Sequence, residues 1–130
     1  MIYEYKTAKG QPRKWVLQQF VISGLRRMSY KTPMRADALR SARVERGKYK
    51  CAKCQNIYGK RQICVDHIEP VLPISVGFTT WDSYIQRLFC HSAGLQILCK
   101  KCHNAKSKEE NKDRRKNYQK RKKKNDGAGT

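Results

Sequence analysis

Hydrophobic positions fall into short blocks whose spacing changes character along the chain. Residues 1–12 hold no sustained period and read as extended or loose. Helical spacing then takes over: Trp15, Leu17, Phe20, Val21, Leu25 and Met28 form a broad stripe, with Arg13, Lys14, Arg26 and Arg27 around it. Thr32-Pro33 predicts a second helix, with Thr32 as N-cap and Pro33 at the first helical position. Ala36, Leu39 and Ala42 give that helix a thin apolar face, and Gly47 is expected to end it.

The texture differs over residues 48–107. Cys51-Ala52-Lys53-Cys54 is a knuckle, and Tyr58-Gly59-Lys60 signals a turn. Gln62-Ile63-Cys64-Val65 predicts a short strand that delivers Asp66-His67. Pro70 and Pro73 then interrupt any regular structure. Thr80 is placed to cap a helix with Trp81, Tyr84, Ile85 and Leu88 on one face. Leu95-Gln96-Ile97-Leu98 predicts another short strand, and Cys99-Lys100-Lys101-Cys102-His103 opens a last helix. From Lys108 onward the chain carries 10 Lys or Arg, 4 Asp or Glu and one aromatic, Tyr118. Such a segment buries too little apolar surface to offset its ordering entropy, so it is expected to fray or to extend the last helix without packing.

Composition narrows the function. The net charge is +20 over 130 residues, spread as +8 over residues 1–47, +6 over 48–107 and +6 over 108–130. An excess of this size favours a polyanionic partner, with nucleic acid leading. A solvated basic surface with no partner is the bland alternative. A membrane surface ranks below nucleic acid, because no segment has the Trp/Phe/Leu face of a basic interfacial helix. No apolar run is long enough to span a bilayer. The first residues, Met1-Ile2-Tyr3-Glu4-Tyr5, lack a secretory pattern, so a reducing, cytoplasmic setting is expected. There, six cysteines argue for metal rather than disulfides.

Cys51-x2-Cys54 and Cys99-x2-Cys102 are two CxxC pairs. Each places two thiolates on one side of a tight turn, and two pairs supply the four sulfurs of a tetrahedral zinc site. Redox cysteines are the competing reading, but the βαβ setting of a thioredoxin-like site is missing. Cys64 and Cys90 have no paired spacing and read as small hydrophobes. Four thiolates fill a zinc shell, which leaves Asp66, His67 and His103 over. A carboxylate and an imidazole can hold a divalent ion with open positions, and a neighbouring imidazole can take a proton from water. Those are the parts for metal-assisted phosphodiester hydrolysis. Singly, these residues have plainer readings: Asp-His is a common dipeptide, and His103 can be a spare zinc ligand or a satisfied surface residue. His91 has no such context and is not counted among them.

The string Cys51-x2-Cys54, then Val65-Asp66-His67-Ile68-Glu69-Pro70, then Leu95-Gln96-Ile97-Leu98-Cys99-Lys100-Lys101-Cys102-His103-Asn104-Ala105-Lys106 resembles the zinc-containing HNH endonucleases, the ββα-metal nucleases. It is similar to their small stand-alone bacteriophage type, over about residues 48–110. The resemblance implies a small α+β, zinc-stapled domain with the ββα-metal fold, a β-hairpin with a helix across it. It implies three segments: a basic helical N-terminal extension (1–47), the nuclease domain (48–110) and a basic tail, disordered or helical (111–130). It further implies His67 as general base, Asp66 and His103 as ligands of a catalytic magnesium or manganese ion, and 5′-phosphate and 3′-hydroxyl products. Structural zinc would sit on Cys51, Cys54, Cys99 and Cys102. Lys106, one helical turn below His103, is expected to touch a phosphate. A phage role in DNA processing or packaging, in the host cytoplasm, and a homodimer or partner protein are further expectations of the resemblance. The chain departs from the pattern at Gly94, where the family has the Asn that braces the loop carrying the base. Ser107 stands where some members have a further metal ligand.

Two functions of different class therefore compete. A metal-dependent DNA endonuclease explains the charge, the cysteines and Asp66, His67 and His103 together. A zinc-stapled nucleic-acid-binding module without hydrolytic activity explains only the charge and the cysteines. A redox sensor gains nothing from the charge.

Overall fold

Tyr3 and Tyr5 alternate with charged residues, and so do Arg13 and Trp15. In the computed structural model, which describes residues 1–127, these runs are the two strands of an antiparallel hairpin. Strand β1 (Ile2–Lys6) pairs with β2 (Pro12–Val16) in a register that sets Tyr3 opposite Trp15 and Tyr5 opposite Arg13. The turn is closed by Gly10 N–H donating to Thr7 O at 2.8 Å, with Gly10 at φ +75. Residues 1–12, expected to be extended or loose, are mostly extended, and a glycine turn that hydrophobic spacing does not reveal folds them into the hairpin. Helix α1 (Leu17–Ser29) starts after the hairpin, so Trp15 belongs to a strand and not to the helical stripe. Its ring meets Phe20 of α1 with centroids 5.3 Å apart. The Thr32 hydroxyl donates to Ser29 O at 2.9 Å, just beyond the end of α1. Residues Met1–Thr32 form one compact unit.

The second unit begins at Pro33, and the expected boundary between residues 47 and 48 falls inside it. Helix α2 (Pro33–Ala42) contributes Ala38 to a core shared with Ile63, Leu95 and Ile97. Gly47 does not end that helix. It sits at φ +73 in the turn between strands β3 (Arg43–Glu45) and β4 (Lys48–Lys50), a backbone conformation natural to glycine. Strand β5 (Ile57–Gly59) pairs with β4, and the turn joining them carries Cys51 and Cys54.

Strands β6 (Ile63–His67) and β7 (Leu95–Cys99) form a separate antiparallel ribbon. Its register opposes Asp66 with Gln96 and His67 with Leu95. Helix α3 (Trp81–Leu88) lies between them in sequence, capped by Thr80, whose hydroxyl oxygen accepts from Ser83 N–H at 3.2 Å. It buries Tyr84 and Leu88 and gathers Phe78, Trp81 and Tyr84 into an aromatic cluster.

Helix α4 (Lys100–Gly127) takes in most of the basic tail, and residues 128–130 of the 111–130 segment lie outside the described residues. None of its residues is fully buried, and polar contacts hold one face. Arg114 donates to Leu72 O at 3.0 Å, Asn117 to Ile74 O at 3.5 Å and Arg121 to Val76 O at 2.7 Å. The absence of apolar residues suggested a segment unable to pack. The backbone carbonyls of Leu72, Ile74 and Val76 supply acceptors that hydrophobic patterning does not reveal. The second unit is thus a small α+β assembly with short sheets.

Candidate functional site

The β4–β5 turn is shaped to present sulfur. Cys51 N–H donates to Asn56 O at 3.0 Å, Gln55 N–H returns to Cys51 O at 3.0 Å, and Gln55 adopts φ 64 to make the reversal. Ala52 N–H donates to Ile97 O at 2.8 Å, which ties this knuckle to β7. The second knuckle spans the end of β7 and the start of α4, where Cys102 N–H points at Cys99 Sγ, 3.4 Å away. The four sulfurs of Cys51, Cys54, Cys99 and Cys102 lie within 4.8 Å of one another. A zinc ion with ~2.3 Å bonds in a tetrahedron separates its sulfurs by about 3.8 Å, so the quartet fits that ion closely. Cys51, Leu98 and Cys99 also form a small buried cluster of their own.

Four thiols packed together divide their protons unequally. Burial pushes the Cys51 thiol up, but backbone hydrogen bonds at Cys99, Cys54 and Lys53 outweigh it and bring it to about 6. The backbone of Cys102 holds Cys99 below the usual thiol range. Cys102 is pushed up to about 12, first by its hydrogen bond to Cys99. Tyr58 OH lies 3.4 Å from Cys54 Sγ, and that bond raises the phenol to about 12, which keeps it a donor to sulfur. Burial pushes Cys64 up, and its sulfur turns to Leu98 O. Cys90 packs against the Ala38 core.

A second constellation lies along the same ribbon. Consecutive strand residues project to opposite faces. Asp66 meets α4, and His67 meets the end of α3. Asp66 Oδ1 is 3.7 Å from His103 Nε2, and the Asp66 side chain is only 12% exposed. Its other oxygen, Oδ2, accepts from Gln96 Nε2 at 2.9 Å and from Lys106 Nζ at 2.6 Å. Oδ1 and the imidazole are spaced so that a small inward shift lets both bind one divalent ion at ~2.1 Å.

Lys106 does more than pair with Asp66. Its ammonium also donates to His67 O at 2.6 Å and Ile68 O at 3.3 Å, and it pairs with Glu110 at 3.3 Å. These partners take up its three protons within the chain. His67 Nε2 lies 2.9 Å from Leu88 O. A carbonyl can only accept, so Nε2 carries the proton, and a neutral ring keeps its lone pair on Nδ1. No hydrogen bond or ion pair joins the His67 ring to Asp66 or His103 among the described residues. His91 Nδ1 accepts from Ala93 N–H at 3.1 Å and serves as a cap.

The segment after His67 is held from two sides. Ile68 N–H donates to Gly94 O at 3.0 Å, opposite the lysine's contacts with the carbonyls of residues 67 and 68. A Cβ at position 94 would lie 3.0 Å from Cys90 Sγ, so a side chain there would have to push Cys90 aside. Tyr58, Gln96 and Glu110 belong to the two sites although none of them is given a role there by sequence spacing. Gln96 carries a signal in the sequence, as the one polar residue in Leu95-Gln96-Ile97-Leu98. Among the described residues no helix is long and apolar enough to cross a membrane. No protein-family model, no curated protein and no solved structure matches this chain.

Proposed function

We propose that this protein is a metal-dependent HNH endonuclease that hydrolyses phosphodiester bonds of DNA. The observation that carries the reading is the pairing of Asp66 Oδ1 with His103 Nε2 at 3.7 Å, one strand residue before a histidine whose free nitrogen is Nδ1. His67 is the general base: with Nε2–H held by Leu88 O, Nδ1 is fixed as the proton acceptor for an attacking water. Asp66 and His103 are the ligands of a magnesium or manganese ion. That ion, when bound, stabilises charge developing on the phosphate and the leaving oxygen. Lys106 holds the backbone on which the base is mounted, a task the family gives to the Asn that Gly94 replaces. This reading sets Lys106 beside the metal rather than on a phosphate. Structural zinc on the four cysteines would tie the β4–β5 turn to the end of β7 and the start of α4. The basic face of α4, with Lys108, Lys112, Arg115 and Lys116 exposed, supplies charge for the DNA backbone.

One observation favours the alternative, a zinc-stapled DNA-binding module without activity. Lys106 Nζ and Gln96 Nε2 already satisfy one oxygen of Asp66 without any metal. Nicking of supercoiled plasmid with and without magnesium or manganese separates the two. His67→Ala removes a proton acceptor but no ligand, so it should fold, keep its zinc and bind DNA. Its cleavage should fall by roughly two to four orders of magnitude. Wild-type protein that never nicks supports the binding module. A variant that nicks as fast as wild type removes the assigned base and the mechanism with it.

A further inference from the structure

The nuclease reading leaves the first unit without a task. Within it, the β1–β2 register puts Tyr3, Tyr5, Arg13 and Trp15 on one face of the hairpin. The Tyr3 and Tyr5 rings are near-parallel, inclined by 19° with centroids 6.4 Å apart, and the two residues are 57% and 46% exposed. Trp15 is half-buried and backed by Phe20. Arg13, directly across from Tyr5, has no carboxylate partner among the described residues. The unit's one acid, Glu4, sits on the other face and pairs with Lys14 at 3.7 Å. Residues 1–32 contain seven Lys or Arg against that single Glu.

From this juxtaposition of parallel exposed rings with unpaired cations, we propose that the hairpin face of Tyr3, Tyr5 and Arg13 is a binding site for single-stranded DNA, distinct from the proposed hydrolytic site. Aromatic rings on a two-stranded ribbon often serve only to hold the strands together. Here Trp15, opposite Tyr3, packs its ring on Phe20 of α1, and both tyrosine rings stay open to solvent. Stacking needs unpaired bases, whose π-faces are free, and it is indifferent to sequence. Duplex DNA hides those faces and offers the hairpin only phosphates. The charge of the unit selects a polyanion over an apolar protein surface, and Arg13 is placed to meet the phosphate beside a base stacked on Tyr5. The chain would thus hold an unpaired stretch of its substrate, a deepening of the DNA reading that does not depend on hydrolysis.

The test measures binding of the full-length, zinc-loaded protein to an oligothymidylate of about 12 nucleotides and to a duplex of equal length, without magnesium. Tyr3→Ala with Tyr5→Ala should weaken single-strand binding by tenfold or more, since each stacked ring is worth about 5- to 150-fold. Duplex binding should change less than about twofold. Tyr3→Phe with Tyr5→Phe keeps the rings and should keep the affinity, which separates stacking from a hydroxyl contact. Arg13→Gln should lower the salt slope for the oligonucleotide by about 0.7, one phosphate on a single strand. Unchanged single-strand affinity in the double-alanine variant overturns the proposal. So does an equal loss on duplex. Self-association of wild type that the alanines abolish, with oligonucleotide affinity intact, assigns the face to a second copy and also overturns it. If the alanine variant is misfolded by circular dichroism, Arg13→Gln and the phenylalanine pair decide, and an Arg13→Gln variant with wild-type affinity and slope overturns the site. A protein that never nicks plasmid but passes these tests loses the nuclease reading and keeps this one.

Discussion

Lys106 is the residue whose surroundings most change its meaning. Sequence spacing sets it one helical turn below His103 and suggests a phosphate contact, but it cannot show which way the ammonium points. The structure gives it Asp66 Oδ2, His67 O and Ile68 O as acceptors. Lys106→Met should therefore have two opposite effects. Loss of a cation beside Asp66 should let magnesium half-saturate at lower concentration, while the loosened 67–68 backbone should slow turnover by about 10- to 100-fold. A magnesium titration of plasmid nicking measures both. A residue that only touches phosphate predicts a raised KM for DNA, a flatter salt slope and an unchanged magnesium midpoint. The same contrast explains what is legible at Gly94. That Gly94 stands where the resemblance implies an Asn is visible in the sequence. What crowds the position, Cys90 Sγ 3.0 Å from where a Cβ would lie, depends on how α3 ends and is not.

At the scale of elements, strands and helices near the cysteines follow their patterns. Thr80 caps α3, and β6, β7 and α4 begin where Asp66-His67 and the second knuckle suggest. The failures share a cause: a glycine turn or a polar contact outweighs hydrophobic period. Gly10 closes a hairpin whose pairing shows in no hydrophobic period, and Trp15 then fits strand alternation better than the helical stripe. Helix α4 has almost no apolar face, yet Arg114, Asn117 and Arg121, spaced at three and four residues, reach alternate carbonyls of Leu72, Ile74 and Val76. Ending the chain at Asp113 should release that segment. Protease cleavage within residues 70–77 should accelerate, and DNA binding should weaken alike for all sequences, with each lost phosphate contact lowering the salt slope by about 0.9. Unchanged cleavage of the segment would mean that the helix does not hold it.

For the molecule as a whole, apolar burial is modest, and the sulfur quartet is placed to hold a stapling ion. The core around Ala38, Ile63, Leu95 and Ile97 is small, and domains of this size often need a staple. The thiols' proton affinities set the pH dependence of zinc-free, reduced protein. Cys51, lowered from 9 to about 6, has shed a proton that the unfolded chain keeps. Its contribution is full above pH 9 and is lost as pH falls through 6. Cys102 works the other way: it keeps its proton to about 12 while the unfolded thiol loses it near 9, so its contribution fades as pH rises from 9 to 12. Tyr58, raised from 10 to about 12, adds to that upper decline. Denaturation midpoints of zinc-free protein should therefore peak near pH 9. Zinc must displace the Cys102 proton, so calorimetry at pH 8 in two buffers of different ionisation enthalpy should show proton release, and zinc affinity should climb with pH. Binding without proton release would mean that Cys102 is not a ligand.

Cys102 and His103 are consecutive residues in the first turn of α4. Whatever zinc does to fix that turn, it does to the imidazole facing Asp66, so the two ions of the proposed enzyme are thermodynamically linked although they share no ligand. Linkage of this kind is reciprocal. If zinc raises the affinity of Asp66 and His103 for manganese by some factor, manganese must raise the affinity of the cysteines for zinc by the same factor. A cell in which zinc runs short would then switch the enzyme off before unfolding it, and saturation with the second ion would slow the approach to that point.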